Sequence, residues 1–145
     1  VFSDKLLDPL ANVLQRLGSR HVMVVHSRDG LDEISIGDKT EVAELKDGRV
    51  RRFSIQPEEF DMPRAPIDRI KADGAEQSLH ILRSVLEDKP GPARDIVQLN
   101  AGAAIYTAGV TDTLAQGVEK AGRAIASGEA RNRLDRLVIL TQSFD

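Results

Sequence analysis

Apolar residues recur along this chain with two different periods, and the changes of period divide it. Leu6, Leu10, Val13, Leu14 and Leu17 fall on one face of a helix that Ser3 can cap and Gly18 can stop. The next run, His21-Val22-Met23-Val24-Val25-His26, is short and nearly continuously apolar. It predicts a strand buried on both faces of a parallel sheet. Helix, glycine stop and buried strand together make one half-turn of an α/β winding.

Ile34 to Ile36 predicts a second short strand. Thr40 to Leu45 and Val50 to Ile55 then flank Lys46-Asp47-Gly48-Arg49, and the Asp-Gly pair marks a hairpin turn. From Gln56 to Gly74, Pro57, Pro63 and Pro66 interrupt any period, which predicts a long irregular connection with one helical turn at Pro57 to Phe60.

The remainder has helical spacing. Ala75 to Asp88 carries Leu79, Leu82, Val85 and Leu86, and Lys89-Pro90-Gly91-Pro92 breaks it from the helix Ala93 to Ala108. That second helix is apolar on almost every face and is expected to be central. Thr111 is placed to cap a third helix, with Leu114, Val118, Ala121 and Ile125 aligned and Gly128 as its stop, and Glu129 to Leu140 forms the last. The inventory is unbalanced. A buried strand needs a neighbour on each edge, the hairpin can supply one, and the others are expected upstream of Val1.

Composition narrows the class. The chain is 145 residues long, enough for one domain with a real core, and its 30% charged and 41% hydrophobic residues are ordinary for a globular protein. A net charge of -3 gives no global attraction to nucleic acid or to an anionic membrane. With no cysteine, disulfides and thiolate metal sites are excluded. No run reaches transmembrane length and no signal peptide opens the chain, so a cytoplasmic location is expected. The opening Val1-Phe2-Ser3, without methionine, is read as a piece of a longer protein.

The chemically informative stretch is His26-Ser27-Arg28-Asp29-Gly30-Leu31-Asp32-Glu33-Ile34-Ser35, where a strand runs out into a glycine bend and then presents adjacent acids. In a regular strand neighbouring side chains point to opposite faces, so Asp32 and Glu33 can serve one metal only if the backbone leaves extended geometry. Gly30 permits that. Hard carboxylate donors without thiolates favour magnesium or manganese over zinc. An arbitrary Asp-Glu pair is more often a polar turn; the strand end, the bend and Asp29 raise this one.

His26 is read as a structural hydrogen-bonder before a general base, and His21 and His80 have weaker claims. Arg49, Arg51 and Arg52 read as a solvated strand edge. Asn100, in the most apolar helix, is expected to make a buried contact that specifies the fold, beside small residues suited to helix packing. No Gly-x-Gly-x-x-Gly, Walker loop or Gly-x-Ser-x-Gly occurs, and nothing points to a catalytic nucleophile.

Asp29-Gly30-Leu31-Asp32-Glu33-Ile34-Ser35 resembles the Asp-Gly-Leu-Asp-Glu motif of the anthranilate phosphoribosyltransferases. Val1-Phe2-Ser3, Gly91-Pro92-Ala93-Arg94-Asp95, Leu99-Asn100-Ala101, Ala108-Gly109 and Ala124-Ile125-Ala126-Ser127-Gly128 extend the resemblance over essentially the whole chain, in the family's order. Two departures are Ser27, where the family usually has glycine, and Gln77-Ser78, where it commonly has Glu-Asn; the second is expected to affect packing only.

The resemblance implies an α/β fold: residues 1–145 as the C-terminal part of a nucleoside phosphorylase/phosphoribosyltransferase-type α/β domain, mostly helical with a short buried strand and a β-hairpin. The helical N-terminal domain, the phosphate-binding loop and the anthranilate-contacting arginine would lie upstream. It implies transfer of the phosphoribosyl group of phosphoribosyl pyrophosphate (PRPP) to the amine of anthranilate in tryptophan biosynthesis. Asp32 and Glu33 would hold Mg2+, no residue of this chain would be a catalytic nucleophile, and the isolated chain would be inactive. The complete enzyme is expected to be a homodimer, with neither nucleic acid nor membrane as partner. A non-catalytic binding relative and a nucleoside phosphorylase relative are the competing readings.

Overall fold

A computed structural model of the chain describes residues 1–144. Ser3 does act as a cap, its hydroxyl receiving the Lys5 N–H at 3.4 Å, but the turn it starts is a 3-10 turn at Asp4–Leu6. Helix α1 (Leu7–Arg16) comes next. Its buried residues are Leu7 and Ala11, with Leu10 and Leu14 packed beside them, while Val13 and Leu17 are exposed. The apolar face is therefore rotated from the one the leucine spacing predicts. The 3-10 turn advances each residue by more than an α-helical turn does, so Leu6 is out of phase with α1.

Strands β1 (His21–Ser27), β2 (Thr40–Lys46) and β3 (Arg49–Ile55) form one antiparallel sheet in the order β1-β2-β3. The predicted hairpin is present. Asp47 and Gly48 both have positive φ, 51° and 72°, as a two-residue turn matched to the strand twist requires. No parallel pair occurs among the described residues. β1 pairs antiparallel with β2, with Val24 opposite Ala43, because the chain returns through a loop and not through a crossover helix. The strand buried on both faces is β2, where Val42, Ala43, Glu44 and Leu45 are all inaccessible. The outer edge of β1 bears no further strand among the described residues; there the nitrogen of Val1 bonds the carbonyl of Val25 at 2.8 Å.

Ile34 to Ile36 is a buried loop segment, not a strand. Pro57–Phe60 is the predicted turn of helix, and a second 3-10 turn stands at Ile67–Ile70. The C-terminal half is built from four helices: α2 (Ala75–Leu86), α3 (Pro92–Thr107), α4 (Leu114–Ala126) and α5 (Glu129–Gln142). Thr113, not Thr111, caps α4, and with Gln116 it forms a reciprocal capping box. Thr111 instead bonds the carbonyl of Thr113.

The layers are set by the two faces of β2. Ala43 and Val24 pack on α1 with Leu7 and Ala11. On the other face Val42, Ile34, Ile36 and Ile55 pack against Ile96, Leu99 and Ala103 of α3 and Val118 of α4. Helix α3 is central, as expected, and it meets α4 at glycine. A Cβ on Gly117 would stand 2.3 Å from the carbonyl oxygen of Gly102, and one on Gly102 would stand 2.5 Å from the Cα of Val118. Leu79 and Leu82 of α2 are exposed. Among the described residues, no helix is long and apolar enough to cross a membrane.

Candidate functional site

The acidic motif lies in the loop between β1 and β2. Twelve residues, 28–39, leave the ladder there, and their polar backbone groups need partners from elsewhere. Side chains supply many of them. Asp29 makes an Asx-turn, its Oδ1 receiving the Leu31 N–H at 3.2 Å, and its Oδ2 accepts the Ser35 hydroxyl at 2.5 Å. Ser35 Oγ receives the Gly37 N–H at 2.8 Å, and Thr40 Oγ1 receives the Ser35 N–H at 3.1 Å. Ser27, Ser35 and Thr40 are fully or almost fully buried. Gly37 must lack a side chain, because a Cβ there would stand 2.6 Å from Asp29 Oδ2.

Burial pushes the Asp29 carboxyl up, but hydrogen bonds from Ser35, Ser27 and the backbone of Leu31 outweigh it and hold the group below the ordinary aspartate range. Asp29 is thus an ionised framework residue. Its hydrogen bonds are spent on shaping the loop.

Helix α3 supplies the other anchor. Asn100 Oδ1 accepts the Ile34 N–H at 3.0 Å, and Asn100 Nδ2 donates to the Ile34 carbonyl at 2.8 Å and to the Ile96 carbonyl at 3.0 Å. Asn100 makes the polar contact expected of it, though half-buried rather than buried, and the contact lands one residue beyond Glu33.

Asp32 and Glu33 themselves are exposed. Two arginines of this region are taken by other acids: Arg28 by Glu41 at 2.7 Å, and Arg64 by Asp38 at 3.2 Å and Glu58 at 2.9 Å. Neither Asp32 nor Glu33 is in an ion pair among the described residues. The backbone bends at Asp32 and Glu33, between hydrogen bonds at Leu31 and Ile34, so the pair is out of extended geometry. The motif therefore presents two free carboxylates to solvent from a stiff base. Among the described residues, no three acids or histidines converge as a self-sufficient metal cage.

His26 is a structural bonder, its Nδ1 lying 2.8 Å from the Val1 carbonyl oxygen, and His80 is exposed. Arg94 of the Gly91-Pro92-Ala93-Arg94-Asp95 motif bonds Asp88 at 2.6 Å and Gln98 at 2.6 Å, and Gln98 reaches the Val118 carbonyl at 3.0 Å. That motif ties the start of α3 to its neighbours. Burial pushes the Asp95 carboxyl up, against a weaker opposing pull from Arg94. Gln77 and Ser78 are exposed and do not pack; Gln77 instead receives the Asp73 N–H at 2.6 Å ahead of α2.

Arg49, Arg51 and Arg52 are exposed on the edge strand β3, as expected, but Arg51 also carries an ion pair. Arg51 is no idle edge charge. It stands directly opposite Glu44 on β2, and its Nε donates to Glu44 Oε2 at 2.7 Å. His21 Nε2 meets Glu44 Oε1 at 2.9 Å, and its ring stands edge-on to Tyr106, whose hydroxyl lies 3.1 Å from Lys46 Nζ. Alternation along Thr40-Glu41-Val42-Ala43-Glu44-Leu45 could have drawn attention to Glu44, an acid sharing a strand face with Thr40 and Val42. The Asx-turn was legible too, in Asp29-Gly30.

A sequence model of the glycosyl transferase family, a/b domain, matches residues 1–131. The chain belongs to that family. It is 58% identical over 143 residues to the anthranilate phosphoribosyltransferase of Thioalkalivibrio sulfidiphilus and 50% identical over 144 residues to that of Methylococcus capsulatus. Each match covers 99% of this chain and 42% of the relative, so the chain spans less than half the length of these proteins. The crystal structure of the Thermus thermophilus anthranilate phosphoribosyltransferase matches with a TM-score of 0.86 at 39% identity, over 96% of this chain and 41% of that one. The Saccharomyces cerevisiae enzyme in complex with PRPP and Mg shares the fold, with a TM-score of 0.86 at 24% identity over 99% of this chain and 42% of that one.

Proposed function

We propose that the protein containing this chain transfers the phosphoribosyl group of PRPP to the amine of anthranilate, releasing pyrophosphate, and that Asp32 and Glu33 are its metal-binding acids. The observation that carries the reading is the pair itself. Two exposed carboxylates, clear of every neighbouring arginine, stand on a loop whose base is held by buried hydroxyls and an amide. Identity of 58% and 50% to anthranilate phosphoribosyltransferases supports the choice of substrates.

The donor set fits magnesium. Both donors are hard carboxylate oxygens, and Mg2+ is commonly held by one or two carboxylates with water and substrate phosphates completing its shell. Two free acids, with no third acid or histidine converging on them among the described residues, are compatible with that pattern. When bound, the ion supplies positive charge to the departing diphosphate. This chain's residues do the rest of its share by placement: Asp32 and Glu33 offer the oxygens, and Asp29, Ser35, Thr40 and Asn100 keep the loop from reorganising. The attacking group is the amine of anthranilate, so no serine or cysteine nucleophile is required.

The test is loss of anthranilate fluorescence in the complete protein, with and without PRPP and Mg2+. Loss that requires both supports the reading. Phosphate-dependent cleavage of a nucleoside without transfer to anthranilate would replace it with the phosphorylase reading.

A further inference from the structure

We propose that Asn100 is a positioning residue for the metal-binding acids: by holding both backbone groups of Ile34, its amide sets where Asp32 and Glu33 stand. The inference rests on the reading of Asp32 and Glu33 given above, and goes beyond it by assigning a role to a residue on a different element.

Neither acid has a side-chain partner to orient it among the described residues, so its placement comes from the backbone on either side. Upstream, the Leu31 carbonyl accepts the Ser27 N–H at 2.9 Å and the Leu31 N–H bonds Asp29 at 3.2 Å. Downstream the anchor is Asn100, at 3.0 Å to the Ile34 N–H and 2.8 Å to the Ile34 carbonyl. Two bonds to one residue fix direction as well as position, as a strand partner would.

The amide cannot easily turn away. Its second N–H is bonded to the Ile96 carbonyl one turn back on α3, and α3 is locked against the sheet and α4 through Leu99, Ala103 and Gly102. Ile34, 3% exposed, is seated in the same core. The acids thus inherit the rigidity of the central helix through the seated Ile34 side chain and the Asn100 amide, of which the amide fixes the direction of the backbone beside Glu33. Residues that orient metal ligands in this indirect way commonly change metal affinity by roughly 10- to 100-fold when replaced.

The experiment uses the complete protein saturated with PRPP, without anthranilate, and Mn2+ as the probe, its binding followed by water-proton relaxation. Asn100→Asp keeps the shape and an acceptor for the Ile34 N–H but removes the donor to the Ile34 carbonyl; Asn100→Ala removes both. Each folded variant is expected to bind Mn2+ roughly tenfold more weakly than wild type. If Asn100→Ala does not fold, Asn100→Asp decides. A purely structural role would lower the melting temperature and leave the Mn2+ affinity of the folded protein unchanged. That result, with Asp32→Ala losing Mn2+ binding, overturns the inference and leaves the metal reading standing. Undiminished binding in Asp32→Ala would overturn the metal reading, and the inference with it.

Discussion

Glu44 of β2 and Arg51 of β3 are cross-strand partners, and the fully buried carboxylate of one takes the largely exposed guanidinium of the other at 2.6 Å. The arrangement lets a charge sit inside the sheet while its partner remains hydrated. His21 closes the second carboxylate oxygen at 2.9 Å. Burial pushes the Glu44 carboxyl up, yet His21, Tyr106 and Arg51 outweigh it and hold the group below the ordinary glutamate range.

That depressed value ties stability to pH. The unfolded chain takes up the proton first, so the contribution of Glu44 is fully present above the ordinary glutamate value and is lost as pH falls through the lower native value. Glu44→Gln is expected to lower stability at neutral pH by about 2–3 kcal/mol, the scale of hydrogen bonds to a charged group. Its urea midpoint should also fall less steeply than wild type below the unfolded value. Parallel acid profiles for the two proteins would show that Glu44 is not the linked group.

Gly117 meets the Gly102 carbonyl oxygen too closely to admit a methyl group, with 2.3 Å available to a Cβ. Gly117→Ala must push α3 and α4 apart, at a cost of about 1–3 kcal/mol for overpacking. Thermal unfolding should register the loss. A variant as stable as wild type would mean that the helices do not cross at this pair.

The 145-residue chain expressed alone should show no transfer to anthranilate, because it spans 42% of the relatives it resembles and holds two free acids but no self-sufficient metal cage among the described residues. Turnover by the purified chain, with no companion fragment in the preparation, would refute the division of labour proposed for it.

Some of this architecture was open to reading from local patterns. Asp47-Gly48 dictates its own turn, the Pro57 turn starts where proline permits, and α3 declares itself central by being apolar on almost every face. Pairing direction was not legible in β1. An apolar run of that length looks the same beside a parallel or an antiparallel neighbour, and the choice was made by a 12-residue loop with no crossover helix. Ile34 to Ile36 has the apolar spacing of a strand, but Asn100, 66 residues away, takes the hydrogen bonds a strand partner would have taken. At the proposed site, Asp32 and Glu33 are singled out by the motif alone. The framework of Asp29, Ser35, Thr40 and Asn100 was scattered among residues whose types are common in any loop or helix. Arg51 looked like an edge charge because its partner, Glu44, is buried by contacts that only the assembled sheet creates.

The most direct measurement is a comparison of the complete protein with its Asp32→Asn/Glu33→Gln variant, following both anthranilate consumption against Mg2+ concentration and thermal unfolding. The two acids are exposed and unpaired, so the melting temperature should not move. Loss of charge stabilisation at the leaving group should lower kcat/KM by roughly a hundredfold or more. The residual rate should no longer respond to Mg2+ over the wild-type range. Retained activity with an unchanged Mg2+ profile would contradict the assignment of Asp32 and Glu33 to the metal.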